Sequence, residues 1–191
     1  MGLKERSYAH LMSVIKLENG ENWYAVSTRS RQERVATRFL EGVGINTFLP
    51  SVTEMRHWSD RKQSVSLPMF PGYLFVRIAE RPELRVQVLK TPGVVNFVCH
   101  GSLPVPIPQK EIDDIRTVLS ERVSCAPYPF LRIGERVRIV GGALDQVQGT
   151  LVGRGPDSKL VLSIELIQRS LAIELHDFRV EPVFEGSPHA A

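Results

Sequence analysis

Between Phe70 and Ile78 the chain reads FPGYLFVRI, and the strand this stretch must form is apolar on both faces. Side chains alternate along a strand, so Tyr73 and Phe75 share one side while Leu74 and Val76 share the other. One side can be covered by the helices of the same domain. The other needs a second cover or stays as an apolar patch, the usual mark of a partner surface. Phe70 stands just before this strand, and Phe97 lies on a later strand that could neighbour it. Pattern alone leaves a partner groove and an ordinary core equally open for these four aromatics.

The surrounding sequence supplies the covers. Trp23 to Ser27 is rich in aromatic and β-branched residues and predicts a strand. Ser30, with Glu33 three residues on, reads as a capping box opening a helix whose apolar face is Val35, Phe39, Leu40 and Val43. Gly42 and Gly44 stop it. Strands are expected around 47–49, 52–58 and 64–67, the last two joined by the polar tip Ser59-Asp60-Arg61-Lys62. Pro82 opens a short helix to Leu89, and 94–98 forms another strand. A third helix is expected from Gln109 to about Glu121, with Ile112, Ile115, Val118 and Leu119 inward and Asp113 and Asp114 solvated. Helices alternating with strands and hairpins predict an α+β sandwich on a mainly antiparallel sheet.

The rest of the chain has a different texture. Residues 122–131 (RVSCAPYPFL) carry two prolines and no period, and read as a linker. Beyond them come short alternating runs at 136–140, 149–152, 159–166, 170–175 and 177–180. Five short strands in about fifty residues without a helix predict a small barrel. The expected layout is a loose leader at 1–21, an α/β domain at 22–121, the linker, a barrel at 132–183, and a disordered tail at 184–191.

Composition narrows the function. Hydrophobic residues make up 42% and charged residues 24%, an ordinary globular balance. No apolar run reaches the ~20 residues of a membrane helix, and the N-terminus lacks a cleavage signal, so a cytoplasmic protein without membrane contact is expected. Cys99 and Cys125 fit neither a disulfide framework nor a metal knuckle. The five histidines are scattered, and Walker, GxGxxG and GxSxG motifs are missing, so no cofactor, metal or catalytic residue is assigned and a binding protein is expected rather than an enzyme. Residues 23–118 carry 13 Lys+Arg against 9 Asp+Glu, a net +4, whereas 119–191 carry 8 against 9. The basic half is the candidate for nucleic acid. Arg29 and Arg31 near the first helix, and Arg61 and Lys62 at the hairpin tip with His57 and Trp58 beside them, could flank one surface. An aromatic among cations suits stacking on unpaired bases. A charge this mild suits an auxiliary contact, not unaided binding.

Three stretches, WYAVSTRSRQERVATRFL, FPGYLFVRI and KTPGVVNFV, resemble the N-terminal (NGN) domain of the NusG family of transcription factors. GERVRIVGGALDQVQGTL, from Gly134 to Leu151, resembles the KOW motif that opens that family's C-terminal SH3-like barrel. In KOW terms Gly134 precedes the first strand, Gly142 supplies the turn, Gly149 permits the bend into the second strand, and Leu144 and Val147 hold the bulky apolar positions. The likeness runs from Trp23 to about Val183. PMFPGYLFV is closest in pattern to the specialised RfaH-like antitermination paralogs. The chain departs from them at Leu84-Arg85-Val86-Gln87, where they carry a polar threonine-rich run, and at Ser27 and His100, where they carry aromatics.

The resemblance implies a transcription elongation and antitermination factor acting as a monomer. Phe70, Tyr73, Phe75 and Phe97 would line a groove for the clamp helices of the largest catalytic subunit of RNA polymerase. The basic surface would lie near the non-template DNA strand or nascent RNA. The barrel would recruit a ribosomal protein or termination factor. The alternative is a KOW-type RNA-binding or ribosome-associated protein, which the barrel and the basic half also suit.

Overall fold

A computed structural model of the chain describes residues 20–57, 62–121, 123–128, 134–153, 158–175 and 178–183. The elements are β1 (Glu21–Thr28), α1 (Glu33–Gly42), β2 (Asn46–Phe48), β3 (Ser51–His57), β4 (Lys62–Pro68), β5 (Tyr73–Ala79), α2 (Pro82–Leu89), β6 (Val94–Phe97), β7 (Cys99–His100), β8 (Leu103–Pro104), β9 (Pro106–Ile107) and α3 (Gln109–Ser120). They continue with β10 (Cys125–Tyr128), β11 (Glu135–Val140), β12 (Gln148–Val152), β13 (Lys159–Ile164), β14 (Arg169–Glu174) and β15 (Arg179–Pro182). The fold is α+β, as the pattern predicts. Contacts gather it into two units, residues up to Leu49 with Pro71–Ile112, and Pro50–Phe70 with the chain from Asp113 onward.

The first unit is built on an antiparallel sheet in the order β2-β5-β1-β6, with β9 also pairing β1. Register decides what each face carries, because directly paired residues point the same way. Tyr24 pairs Val76, and Val26 pairs both Leu74 and Phe97, so all of these share one face. Ala36 and Leu40 of α1 and Val88 of α2 complete the core on that side. Burial there pushes the Tyr24 hydroxyl above its ordinary pKa. The opposite face carries Trp23, Ala25 and Phe75, all buried. Phe48 pairs Phe75 with ring centroids 6.2 Å apart, and meets Trp23 edge-on at 6.4 Å. The Trp23 indole N–H donates to Gln109 Oε1 at 3.0 Å.

Two local expectations change. The capping box does not form: α1 begins at Glu33 behind Gln32, with no side-chain cap. Its buried stripe is Glu33, Ala36 and Leu40, whereas Phe39 and Val43 are each more than half exposed. Small Ala36 lets the helix sit close to the sheet, which a reading weighted by side-chain size turns about one residue out of register. Pro82 does open α2, where its missing N–H costs nothing.

The second unit contains the β3–β4 hairpin, registered from Ser51↔Pro68 to His57↔Lys62, and a six-stranded antiparallel sheet in the order β10-β14-β13-β12-β11-β15. Its core is Val137, Ile139, Leu144, Leu160, Leu162, Ile164, Leu171 and Ile173. The expected strands are present, although β13 stops at Ile164 in a 3-10 turn that Gln168 closes in the left-handed conformation. The stretch expected as a linker contains β10, with Cys125 opposite Ile173 and Pro127 opposite Leu171. Proline is tolerated there because β10 is an edge strand. In α3 the faces of Ile112, Ile115 and Val118 are inward, but Asp114 is buried too and accepts the Gln148 N–H at 3.3 Å. That overturns its solvated placement: a backbone donor 34 residues away compensates its burial. No described helix is long and apolar enough to cross a membrane.

Candidate functional site: a clamped turn, an aromatic strand face and a cationic recess

The FPGY turn is held by its glycine. Gly72 adopts φ +83, a conformation that glycine reaches without a Cβ penalty. Its N–H donates to Glu33 Oε1 at 2.7 Å, and its carbonyl accepts the Thr28 N–H at 2.9 Å. The chain then enters β5 at Tyr73, which pairs Ser27 and is partly exposed. Phe75 follows on the same face, fully buried.

The four aromatics are not brought to one surface. Tyr73 and Phe75 share a face, but Phe97 pairs Val26 and lies on the opposite, helix-covered side, edge-on to Tyr24 at 6.1 Å. Phe70 is buried, at 1% exposure. In this structure Tyr73 alone of the four offers accessible surface. Cross-strand register is what separates Phe97, and spacing along the sequence does not contain it.

Arg29 and Lys90 line a recess of about 660 Å³ together with Ser30, Gln32, Thr91 and Gly93. The Arg29 N–H donates to Gly93 O at 2.8 Å, which ties the segment after β1 to the turn before β6. Arg31 is exposed, at φ +61. Arg29, Arg31 and Lys90 have no ion-pair partner among the described residues. Two cations at one recess suit an anionic group such as a phosphate. Lys90 was not among the sequence candidates; its place after α2 shows up only once Gly93 folds back to Arg29. His57 and Lys62 are paired at the tip end of the β3–β4 hairpin, in the second unit, while Trp58 and Arg61 lie outside the described residues. Among the described residues no group of three His, Cys, Asp or Glu side chains could hold a metal ion.

The glycine turn of the second unit has its own logic. Gly141 and Gly142 both take positive φ between β11 and β12. Asp145 Oδ1 accepts the Gly141 N–H at 2.7 Å, and Leu144 and Val147 fall inward, buried. Gly134 stands before β11 and Gly149 lies within β12. The Gly141 hydrogen bond holds the Asp145 carboxyl below its ordinary pKa. A carboxyl depressed in the folded state contributes its stability above the unfolded pKa of ~4 and loses it as pH falls through the folded value. Acid titration followed at the Gly141 amide should therefore show the turn intact above about pH 4 and opening below it, and Asp145→Asn should flatten that dependence.

A family model described as "Transcription termination factor nusG" matches residues 21–116. The transcription termination/antitermination protein NusG of Thermus thermophilus is 31% identical over 173 residues, covering 80% of this chain and 94% of that protein. The NusG of Lactococcus lactis is 27% identical over 175 residues, covering 85% and 94%. A solved NusG structure from Thermotoga maritima aligns with a TM-score of 0.49 at 23% identity, covering 86% of this chain and 98% of that one. With the matched model spanning the whole α/β sheet and a relative above 30% identity along nearly its full length, the chain belongs to the NusG family of transcription factors.

Proposed function

We propose that the chain is an elongation and antitermination factor whose first unit grips the clamp helices of the largest RNA polymerase subunit. The observation that carries this reading is Tyr73, partly exposed at the head of β5 on the face it shares with the buried Phe75, in a unit that belongs to this family. Burying such a side chain against a partner is worth roughly 1.5–3 kcal/mol before association costs, enough for one anchor of a transient complex. Phe75, two residues on along the same face, is buried and acts as support for that contact, whereas Phe70 is buried within the second unit. The recess of Arg29 and Lys90 receives a backbone phosphate of the non-template strand or nascent RNA while the clamp holds the protein in place. Such a grip disfavours backtracking, and no bond is made or broken. The C-terminal sheet of the second unit, read as a KOW barrel, recruits a ribosomal protein or termination factor. PMFPGYLFV favours an operon-specific antiterminator over a general factor.

The test is single-round transcription by the host polymerase across a pause and a terminator, with wild type or a folded Tyr73→Ala variant. Wild type is expected to shorten the pause and raise read-through, and the variant to lose about tenfold in polymerase affinity. If wild type neither alters elongation nor binds polymerase, but co-sediments with ribosomes, the ribosome-associated reading takes its place.

A further inference from the structure

We infer that Glu33 is a positioning residue for partner binding: closed over the Gly72 amide, its carboxylate sets where Tyr73 stands. This rests on the clamp reading of Tyr73. Glu33 is 5% exposed, so it offers a partner almost no surface of its own. It is the one buried acid among the described residues of the first unit. Its Oε1 takes the Gly72 N–H at 2.7 Å while the Gly72 carbonyl takes the Thr28 N–H, so both peptide groups of the turn are held by the segment joining β1 to α1. Tyr73 is the next residue along. The same segment carries Arg29, fixed by its own N–H to Gly93, so one short stretch sets the aromatic contact and the cationic recess together.

A buried carboxylate is an uneconomical way to stabilise a turn, because desolvation offsets most of what the hydrogen bond returns. What it supplies is a strong acceptor at one defined point, in the first turn of a helix where the macrodipole favours a negative charge. Gly72, with φ +83 and open space where a Cβ would sit, is otherwise the most pliable residue between Phe70 and β5. Without the carboxylate the turn loses one of its two ties, and Tyr73 is held at the strand end only by the Thr28–Gly72 bond and its pairing with Ser27.

Affinity for the host polymerase should be measured for Glu33→Ala, Glu33→Asp and Glu33→Gln, each alone and with Tyr73→Ala, beside the exchange rate of the Gly72 amide. Glu33→Ala is expected to weaken association about tenfold. Glu33→Asp keeps the charge but falls one methylene short, and should lose nearly as much. Glu33→Gln keeps an acceptor of the right length and should recover most of the affinity. In the Tyr73→Ala background Glu33→Ala should have less than about a twofold effect, because both act through one contact. Gly72 exchange should accelerate in the alanine and aspartate variants while amides in the middle of β1 and β5 stay protected. If Tyr73→Ala weakens binding and Glu33→Ala does not, or the two losses multiply, the positioning role is overturned. If Tyr73→Ala has no effect, the clamp reading fails instead, and an unchanged Gly72 exchange rate in Glu33→Asp would overturn the lock by itself. Should the alanine variant not fold, the aspartate variant carries the same comparisons.

Discussion

Replacing Gly149 with alanine is expected to destabilise the C-terminal sheet by about 3 kcal/mol, the upper range for an overpacked core position. Gly149 sits in β12 opposite Val137, and a Cβ there would lie 2.6 Å from the Val161 carbonyl oxygen and 2.9 Å from Leu160 Cγ. The first obstacle is backbone, held in the β12–β13 ladder by Thr150↔Val161, so it cannot step aside without unpairing strands. Leu160 and Val161 are both core residues. Gly142→Ala is the informative control. Its Cβ would meet nothing within 4 Å, but its φ of +73 strains an L-residue, at about 1–2 kcal/mol. Amide exchange across Leu160–Leu162 should therefore accelerate by roughly two orders of magnitude in Gly149→Ala and by about one in Gly142→Ala. Core amides of the first unit should be untouched in both. Wild-type exchange in Gly149→Ala would mean that close approach of β12 and β13 is not what requires glycine there.

Phe75→Ala should remove about 3–5 kcal/mol from the first unit, a large part of the 5–15 kcal/mol typical of a domain. Phe75 has no exposed surface, and its loss also strips Phe48 of its ring partner beside Trp23. The melting temperature should fall by roughly 10–20 °C. Tyr73→Ala, two residues earlier on the same face, is partly exposed and should move it only a few degrees. Comparing the two separates support from contact. Both variants are expected to lose activity in transcription, but Phe75→Ala through unfolding and Tyr73→Ala while folded. A Phe75→Ala protein that melts like wild type yet no longer binds polymerase would move Phe75 into the contact surface itself.

Element identity was largely legible because it is written locally. Alternation marks Tyr73–Ile78 as a strand with two apolar faces, and Pro82 marks the start of α2, from the residues alone; β5 runs one residue further, to Ala79. What was not legible depends on partners far along the chain. Glu33 reads as half of a capping box until Gly72 arrives 39 residues later, and Asp114 reads as solvated until the Gln148 amide meets it. Cys125–Tyr128 reads as linker because its only reason to be a strand is the edge of β14. The candidate site was half visible for the same reason. Tyr73 and Phe75 share a face by alternation, which is local. Phe97 could be assigned a face only through its register with Val26. Lys90 joined Arg29 only through the bond from Arg29 to Gly93.

The strand order of the first unit also sets a schedule for synthesis. β1 lies inside its sheet, between β5 on one edge and β6 and β9 on the other. It leaves the ribosome before the rest of its sheet, and every strand it pairs with is made later, from Tyr73 out to Ile107 opposite Trp23. A nascent chain that has emerged only as far as α1 therefore has its most apolar segment ready and nothing to zip it to. Non-local pairing of this kind is slow, because loop-closure entropy comes due before the contacts form. For the whole of that interval Trp23, Tyr24 and Val26 depend on whatever shields nascent chains, and a stall before residue 107 leaves them bare.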